Sequence, residues 1–346
     1  MTGGDFSECF LAVLILILFI FIALFCGSWP SDHIRPCALC SDVIPKKRVL
    51  LGGGSGFVGQ ALASSLRRRG YDVKIISRDP KSGDFTWEDI ERDGLPPSTD
   101  AVINLAGSSI LDFKNFWTCK YMEECVSSRV STTAMLAKAI AASEDAPSVW
   151  ISTSSVSFYP PSKDLAYDET SVIRQDRDWA SQLMASVEKA AGIFHHRSRH
   201  DTRSVIMRTG IVLGQDGGVY DNLQRPFYSC LGGTFGDGSQ WFPYVHLKDV
   251  VRAYEFALSN VRAKGAFNVV APRVCTNKEF TKAVGGAINR IALIRVPGFM
   301  SRVMGKERAP MLFSGQNVKP KALTSMGFKF DFPDVTSCCA DLASGK

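Results

Sequence analysis

The chain has 346 residues, of which 45% are hydrophobic and 21% charged, and it carries a formal net charge of +6. A chain of this length can bury a sizeable core, so we expect a globular protein built as one large α/β unit or as two lobes. The positive charge is spread over short clusters with no known nucleic-acid-binding module beside them, and nucleic acid is therefore excluded as an expected partner.

An uncharged apolar run near the N-terminus predicts a transmembrane helix or signal anchor over residues 9–26, after a tail at 1–8 and before a linker at 27–46. The tail is acidic, whereas a secretory signal begins with a basic region. Positive charge follows the run at Arg35 and at Lys46–Arg48, so the positive-inside rule predicts a membrane anchor with the globular domain facing the cytosol. Two alternatives stay open: a cleaved signal, and an extension that is removed to leave a soluble protein.

The ten cysteines are scattered along the chain, and a cytosolic protein keeps such cysteines reduced. Cys37 and Cys40 have the spacing of a metal or redox pair, but the sequence has no second pair to go with them. The histidines show no spacing typical of metal ligands either. We therefore expect no metal site.

A glycine-rich loop, Gly52–Gly59, follows an apolar strand and leads into a helix predicted over Phe57–Arg69. Gly53 fits a tight turn, Gly56 a close approach to a pyrophosphate, and Gly59 the packing of the helix against the strand. The amides at the helix start would face the phosphates, where the helix dipole adds partial positive charge. The predicted cofactor contacts of this loop are Gly53, Gly56, Phe57, Val58 and Gly59.

The next predicted strand, Tyr71–Arg78, ends about twenty residues past the glycines, where a Rossmann fold places the group that reads the adenosine ribose. An acidic residue there favours NAD, whereas this chain has Ser77 and Arg78. A guanidinium binds a 2′-phosphate through charge-assisted hydrogen bonds, and a hydroxyl adds another. The cofactor is therefore predicted to be NADP, with the alternative that Arg78 is a solvated loop charge beside Asp79.

The rest of the chain alternates strands and helices in the way that builds a parallel sheet. We predict an α/β fold, a Rossmann-type doubly wound parallel sheet over residues 47–290, preceded by one N-terminal hydrophobic helix. From Gly210 onward the elements are shorter, and a smaller C-terminal substrate lobe is expected there. The predicted elements are strands at 101–107, 149–153 and 203–208 and helices at 116–142 and 178–196.

Several motifs together resemble an atypical branch of the extended short-chain dehydrogenases/reductases. The chain is similar, from Lys47 to Ala343, to the epimerase family proteins of short-chain dehydrogenase/reductase family 39U. The resemblance implies an NAD(P)-binding epimerase/dehydratase-like domain and a small C-terminal module of unknown function at 295–344. The motifs that carry it are the glycine loop, Asn104–Gly107, Arg208–Gly214, His246–Asp249, Asn268–Pro272 and Gly315–Pro320.

The resemblance also implies further NADP contacts beyond the glycine loop. Leu105 and Ala106 would lie at the carboxyl end of the fourth strand, where ligands bind in open α/β sheets. Glu124, Arg129 and Val212 are implied by the resemblance alone. The implied activity is that of an NADP-dependent oxidoreductase acting on CH–OH groups, with a small-molecule substrate that the resemblance does not identify.

Active dehydrogenases of this superfamily carry a Tyr and a Lys four residues apart on one helix, and the Lys lowers the pKa of the phenol for proton transfer. The corresponding helix, residues 179–188, contains neither residue. Its end reads Val187-Glu188, where the branch usually has Trp-Glu. The departure puts catalysis in doubt and leaves cofactor binding untouched.

Two other Tyr/Lys pairs have the right spacing in the wrong context. Tyr159 and Lys163 flank consecutive prolines, which exclude a helical turn. Tyr244 and Lys248 run from a strand into a helix that Asp249 is expected to cap, so their side chains should point apart.

The remaining catalytic candidates are Ser154, Ser155 and Tyr159, at the end of the fifth strand. Ser154 or Ser155 could hydrogen-bond a substrate carbonyl, and Tyr159 could donate a proton. Alternatively, the serines satisfy backbone groups and Tyr159 packs under the loop. Three functions follow: an NADP-dependent oxidoreductase, a non-catalytic NADP sensor, or an epimerase or dehydratase with tightly bound cofactor.

Overall fold

The computed structural model describes residues 46–110, 118–173, 178–193, 201–215, 217–229, 232–290, 292, 294–297 and 313–345. The predicted N-terminal tail, the hydrophobic helix at 9–26 and the linker up to residue 45 lie outside the described residues, so the helix and its role as an anchor stay predictions. Within the described ranges, none of the helices is both long enough and apolar enough to cross a bilayer.

A seven-stranded sheet forms the centre of the molecule, and every neighbouring pair of its strands is parallel. The chain winds outward from β1 (Arg48–Gly52) in both directions, so the winding reverses between β1 and β4 (Ala101–Asn104). The predicted doubly wound α/β fold is therefore confirmed. Across the sheet, the strands are β12 (Gly265–Val269), β7 (Arg203–Thr209), β5 (Val149–Ser155), β4 (Ala101–Asn104), β1 (Arg48–Gly52), β2 (Asp72–Ser77) and β3 (Phe85–Thr86).

Helices cover both faces of this sheet, which explains why its central strands read as continuous apolar runs. Along β1, Val49 and Leu51 pack against one face, and Leu50 packs against the other. In chain order, the helices of the described residues are α1 (Phe57–Arg68), α2 (Trp87–Asp93), α3 (Cys119–Ala142), α4 (Trp179–Ala191), α5 (Gly218–Tyr228), α6 (Leu247–Ser259), α7 (Asn277–Ala287), α8 (Lys321–Ser325) and α9 (Val335–Ser344).

Side-chain caps set the starts of several helices. Helix α3 begins after Thr118, whose hydroxyl accepts from the amide of Tyr121, whereas the predicted start at 116 lies outside the described residues. Asp178 caps α4 in the same way. The predicted cap of α6 is wrong: His246 is the N-cap, and its Nδ1 accepts from the amide of Lys248. Asp249 lies in the first turn of the helix, and its carboxylate accepts from the amides of Asp331 and Phe332.

A smaller lobe is built from paired short strands. One part of it lies in the chain between β7 and β12, and the other part follows β12. Its core is continuous from α5 and α7 to α9 at the C-terminal end. The pairs are β8 (Ile211–Leu213) with β11 (Tyr244–His246), β9 (Gly233–Phe235) with β14 (Ile294–Val296), and β10 (Trp241–Phe242) with β13 (Cys275–Thr276).

The C-terminal segment is built into both parts of the molecule. Its strand β15 (Asn317–Val318) pairs with β6 (Ala166–Tyr167). Leu323 joins the core between the sheet and helices α1 and α6, and α9 contributes Cys338 and Cys339 to the core of the lobe. The predicted module at 295–344 therefore shares its buried surface with the rest of the fold.

Candidate functional site

One cavity of about 870 Å³ lies at the carboxyl ends of the sheet strands and extends into the smaller lobe. Its lining begins at the glycine loop between β1 and α1 and continues past the ends of β4, β5 and β7. The reversal of winding between β1 and β4 lies at its edge, which is where open α/β sheets bind ligands. The cavity is therefore the candidate site.

The glycine loop is packed too closely for side chains at two of its positions. Gly53 has a φ of +74°, and a Cβ there would lie 2.7 Å from the amide nitrogen of Ala106. A Cβ on Gly59 would lie 2.2 Å from the carbonyl oxygen of Gly53. A Cβ on Gly56 would meet the same oxygen at 3.3 Å and nothing else within 4 Å. Gly53 and Gly59 thus shape the turn, and Gly56 leaves its cavity side open.

The start of α1 offers free amides to the cavity. Gly56 is the N-cap and provides no side-chain acceptor, and the first turn contains no acidic residue. The first amides of a helix have no partner within the helix, so those of Phe57 and Val58 are open to a ligand. All three residues line the cavity, and their amides and the helix dipole together make this end suited to an anion.

The turn after β4 lines the cavity beside the glycine loop. Asn104 is buried and holds this turn: its Oδ1 accepts from the amide of Ala106 at 3.0 Å, and its Nδ2 donates to Thr133 at 3.0 Å. Leu105 and Ala106 line the cavity next to the glycine loop. Val212, on β8, lines it from the side of the lobe.

Arg129 brings a cation to the cavity wall. Its guanidinium donates to the carbonyl oxygens of Ser108 at 2.7 Å and Cys125 at 3.2 Å. Burial lowers the pKa of Arg129, and within the described residues it forms no ion pair with a carboxylate. A desolvated cation without an anionic partner is costly, and a bound phosphate would relieve that cost.

Ser77, Arg78 and Glu124 lie beside the cavity and do not line it. Arg78 is 78% exposed, and its guanidinium is 3.6 Å from the carboxylate of Glu124. Glu124 in turn accepts a hydrogen bond from Ser108, next to the lining residue Gly107. The hydroxyl of buried Ser77 accepts from the amide of Asp79 and pairs with another serine of its loop. Arg78 is thus the accessible cation at the end of β2.

Ser154 and Ser155 line the cavity at the end of β5. Ser154 donates its single proton to Oε1 of Glu188 at 2.9 Å, so its lone pairs remain available as acceptors. Ser155 accepts from the amide of Ser157 and thereby caps the short 3₁₀ turn Val156–Phe158. In this arrangement the proton of Ser154 is directed to a carboxylate, so Ser154 meets a substrate hydroxyl as an acceptor.

Tyr159 is fully buried and does not belong to the cavity lining among the described residues. Its hydroxyl accepts from Arg208 at 2.8 Å and lies 2.9 Å from Oδ1 of Asn268 and 3.1 Å from the carbonyl of Asp168. Burial raises its pKa. The expectation that Tyr159 donates a proton to substrate is therefore corrected: the ring packs under the loop and stacks on Tyr167.

Arg208 and Glu188 form a buried ion pair behind Ser154, with two nitrogen–oxygen contacts at 2.9 and 2.8 Å. The guanidinium also lies 3.7 Å above the ring of Phe158. The sequence alone gives Arg208 no role beyond its place in the Arg208–Gly214 motif. The available signal was an arginine inside a strand otherwise rich in apolar residues, together with the glutamate that the branch keeps at the end of its helix.

Helix α4 presents no Tyr/Lys pair to the cavity. Ala180 and Met184 stand four residues apart on α4, and both line the cavity. Tyr244 is buried with its hydroxyl at the carbonyl of Arg273, whereas Lys248 pairs with Asp341. The side chains of Tyr244 and Lys248 therefore point to different partners, as predicted, and do not form a proton-transfer pair.

Comparison with known proteins gives two family matches. The model of the NAD dependent epimerase/dehydratase family matches residues 49–270, and a domain of unknown function, DUF1731, matches residues 296–342. The epimerase family protein SDR39U1 of Mus musculus is 39% identical over 298 residues, which cover 86% of this chain and 100% of the relative.

Two solved structures show the same fold. The human epimerase family protein SDR39U1, crystallised with NADPH, is 38% identical with a TM-score of 0.81, covering 86% of this chain and 100% of that one. A nucleoside-diphosphate sugar epimerase from Corynebacterium glutamicum is 25% identical with a TM-score of 0.67, covering 87% of this chain and 59% of that one.

Proposed function

We propose, from the premise that this chain belongs to the NAD dependent epimerase/dehydratase family, that it is an NADP-dependent oxidoreductase acting on a CH–OH group or the corresponding carbonyl. One observation carries the proposal. The cavity begins at the glycine loop, whose close packing admits no Cβ at Gly53 and Gly59. The open amides at the start of α1 and the guanidinium of Arg129 face the same cavity. These groups fit the pyrophosphate of a dinucleotide.

The preference for NADP over NAD is supported by Arg78. It lies at the end of β2, where the adenosine ribose of a bound dinucleotide would lie, and its exposed guanidinium is free to turn from Glu124 to a 2′-phosphate. The 38% identical human relative was solved with NADPH. Both observations favour the phosphorylated cofactor.

The chain's own groups can handle the proton. When bound, the nicotinamide would supply hydride transfer. A substrate hydroxyl placed over Ser154 would donate to the serine Oγ, because the serine proton is held by Glu188. As the hydroxyl proton passes to Ser154, the serine proton passes to Oε1 of Glu188, and Arg208 keeps that carboxylate in place. In the reverse direction the same two protons return.

The proposal is tested by turnover. We expect reduced-nicotinamide absorbance to change with members of a panel of alcohols and carbonyl compounds. Ser154→Ala should lower kcat by about 100-fold, the lower end of what a positioned proton-transfer group contributes, with little change in NADPH affinity. Ser186→Ala is the matched control, because that hydroxyl lies on the exposed face of α4 and bonds only within its helix. Equal turnover by Ser154→Ala and the wild type would contradict the proposed role of Ser154.

A second candidate function is supported by helix α4, which lines the cavity with Ala180 and Met184 and presents no Tyr/Lys pair there. A non-catalytic NADP sensor would bind NADPH without turnover and bind a partner with an affinity that follows the NADPH/NADP ratio. An epimerase or dehydratase would instead retain its nucleotide through dialysis. Turnover, NADPH binding and nucleotide retention, measured on one purified preparation, distinguish the oxidoreductase, the sensor and the epimerase or dehydratase.

The membrane anchor at residues 9–26 is kept as a proposal from the sequence alone. It is supported by the uncharged apolar run and by the positive residues that follow it. The full chain should sediment with membranes, and a chain starting at residue 46 should not. Recovery of both chains in the supernatant would contradict the anchor.

A further inference from the structure

The far end of the cavity, inside the smaller lobe, is a chamber with an apolar wall. We call it the distal chamber. Its wall comes from helices α5 and α7 and from strands β9, β10 and β14. The apolar side chains that line it are Leu223, Phe227, Phe235, Phe242, Phe280 and Val296.

The aromatic rings of the distal chamber are closely set. Phe242 and Phe280 stack with their ring centroids 4.3 Å apart. A Cβ on Gly232 would lie 2.3 Å from the ring of Phe227. The backbone at Gly232 therefore packs directly against this ring and restricts its movement. Fixed rings form a flat apolar surface, and such a surface binds planar or ring-bearing groups.

The polar side chains in this wall are bonded to the backbone. Gln240 donates to the carbonyl oxygen of Phe235 at 3.0 Å, and Asn277 accepts from the amide of Phe235 at 3.0 Å. Thr281 donates to the carbonyl oxygen of Gly233 at 3.3 Å. All three are buried. They hold β9 in position, and the surface that remains for a ligand is mostly apolar.

The charged side chains of the described lining lie outside the elements that form the distal chamber. Among the lining residues that the structure describes, the charged ones are Arg129 and Asp178. Arg129 lies beside the glycine loop, and the carboxylate of Asp178 accepts from the amide of Ser181 at the start of α4. The described wall of the distal chamber therefore offers no cation to a diphosphate, whose desolvation requires one.

We propose that the distal chamber binds the apolar, ring-bearing end of a neutral substrate, and that a sugar nucleotide is not the substrate. The inference rests on the proposed function, because it takes the reacting group to lie at Ser154 between the cofactor end and the chamber. It separates this chain from its 25% identical structural neighbour, which is a nucleoside-diphosphate sugar epimerase.

The test uses the full chain saturated with NADP⁺, so that a carbonyl probe binds without being reduced. Calorimetric titration with 1-naphthaldehyde, a neutral two-ring carbonyl compound, is compared with titration with UDP-glucose. We expect the aldehyde to bind and UDP-glucose to give no heat of binding. Leu223→Asn, which places an amide in the chamber wall, should weaken aldehyde binding by at least roughly tenfold.

The matched control is Val261→Asn, the same kind of change at a residue that is 75% exposed and outside the cavity lining. It should leave aldehyde binding unchanged. NADP⁺ affinity and the thermal unfolding midpoint of each variant show that the fold is intact.

Binding of UDP-glucose as tight as that of the aldehyde would overturn the proposal, and so would unchanged aldehyde binding by folded Leu223→Asn. If NADP⁺ itself fails to bind, the proposed function fails. Titration with 1-naphthaldehyde in the absence of nucleotide then still shows whether the distal chamber binds apolar rings.

Discussion

At the scale of single residues, Arg78 is the side chain whose role can be separated most cleanly from folding. It is 78% exposed, and its ion pair with Glu124 spans 3.6 Å, so its loss should leave stability nearly unchanged. Arg78→Ala should weaken NADPH binding by about 10- to 100-fold, the range expected when a charge-assisted hydrogen bond is removed. NADH binding should not change, because NADH lacks the 2′-phosphate.

The measurement is calorimetric titration of the variant with both nucleotides. Arg92→Ala is the matched control, since Arg92 is 67% exposed and pairs with Asp89 and Asp93 away from the cavity. Equal losses of NADPH and NADH affinity in Arg78→Ala would show that Arg78 does not read the 2′-phosphate.

Residue roles were predictable where the local backbone dictates them. The tight packing of Gly53 and Gly59 follows from a strand–turn–helix pattern that is readable in the sequence. The burial of Tyr159 was not predictable, because it depends on Arg208 and Asn268, which lie 49 and 109 residues further along the chain. The same holds for Ser154, whose proton goes to a glutamate 34 residues away.

At the scale of elements, Asp249 shows how α6 is joined to the C-terminal segment. Its buried carboxylate accepts from the amides of Asp331 and Phe332, each at 2.9 Å, and pairs with Arg252 at 2.8 Å. Asp249→Ala leaves two amides and a guanidinium without this acceptor. We expect the free energy of unfolding to fall by about 3 to 5 kcal/mol, as when one partner of a buried pair is removed.

The control for this prediction is Asp331→Ala. Asp331 pairs with the same guanidinium at the same 2.8 Å, but its side chain is 55% exposed, and exposed pairs contribute about 0 to 1 kcal/mol. Denaturant unfolding of the two variants compares the carboxylates directly. A similar effect of both substitutions would mean that the amide contacts of Asp249 add no stability.

Elements were predicted better than their ends. Strands β1, β2, β4, β5 and β7 and helices α1, α3 and α4 follow from apolar runs and helical periodicity and overlap the predicted segments. Strands β3 and β12 and helix α2 were not predicted. The limits of the helices depend on caps, and His246 caps α6 through a ring nitrogen, which is outside the usual set of Ser, Thr, Asp and Asn. Asp249 was therefore the natural expectation, and its use by a segment some eighty residues away has no local signal.

At the scale of the whole molecule, Asp168 connects the loop after β6 to α8. Its carboxylate binds the hydroxyl of Thr170 and the ammonium of Lys321, and these hydrogen bonds hold the pKa of Asp168 at about 2, below its ordinary 3.8. A carboxyl with a lowered folded-state pKa adds stability above its unfolded pKa, and this contribution is lost as the pH falls toward the folded value. The sensitive window is therefore about pH 4 to 2.

Asp168→Asn should reduce stability at neutral pH and flatten its pH dependence in that window. The check is urea unfolding of both proteins at a series of pH values, with Asp164→Asn, an exposed residue on the other side of β6, as the control. A difference between the wild type and Asp168→Asn that stays constant from pH 5 to 2 would contradict the assignment.

The overall fold class was predictable because alternating strands and helices leave few topologies open. The place of the C-terminal module was not. Its resemblance to a separate family segment suggested a body of its own, whereas Leu323 packs with the sheet core and α9 with the lobe. Those contacts join α8 to β12 and α9 to α7, elements that are separated along the chain, and no periodicity in the sequence records them.

The position of α9 in the core of the lobe has a consequence for synthesis. A ribosome makes the glycine loop first, and the sheet can begin to assemble while translation continues. Cys338, Cys339 and Leu342 emerge nearly three hundred residues later, and until then the apolar surface of Tyr244 and Phe280 lacks its cover. From the synthesis of Phe280 until α9 emerges, the nascent chain therefore carries a lobe core that is only partly covered, and a holding chaperone would be of greatest use in this interval.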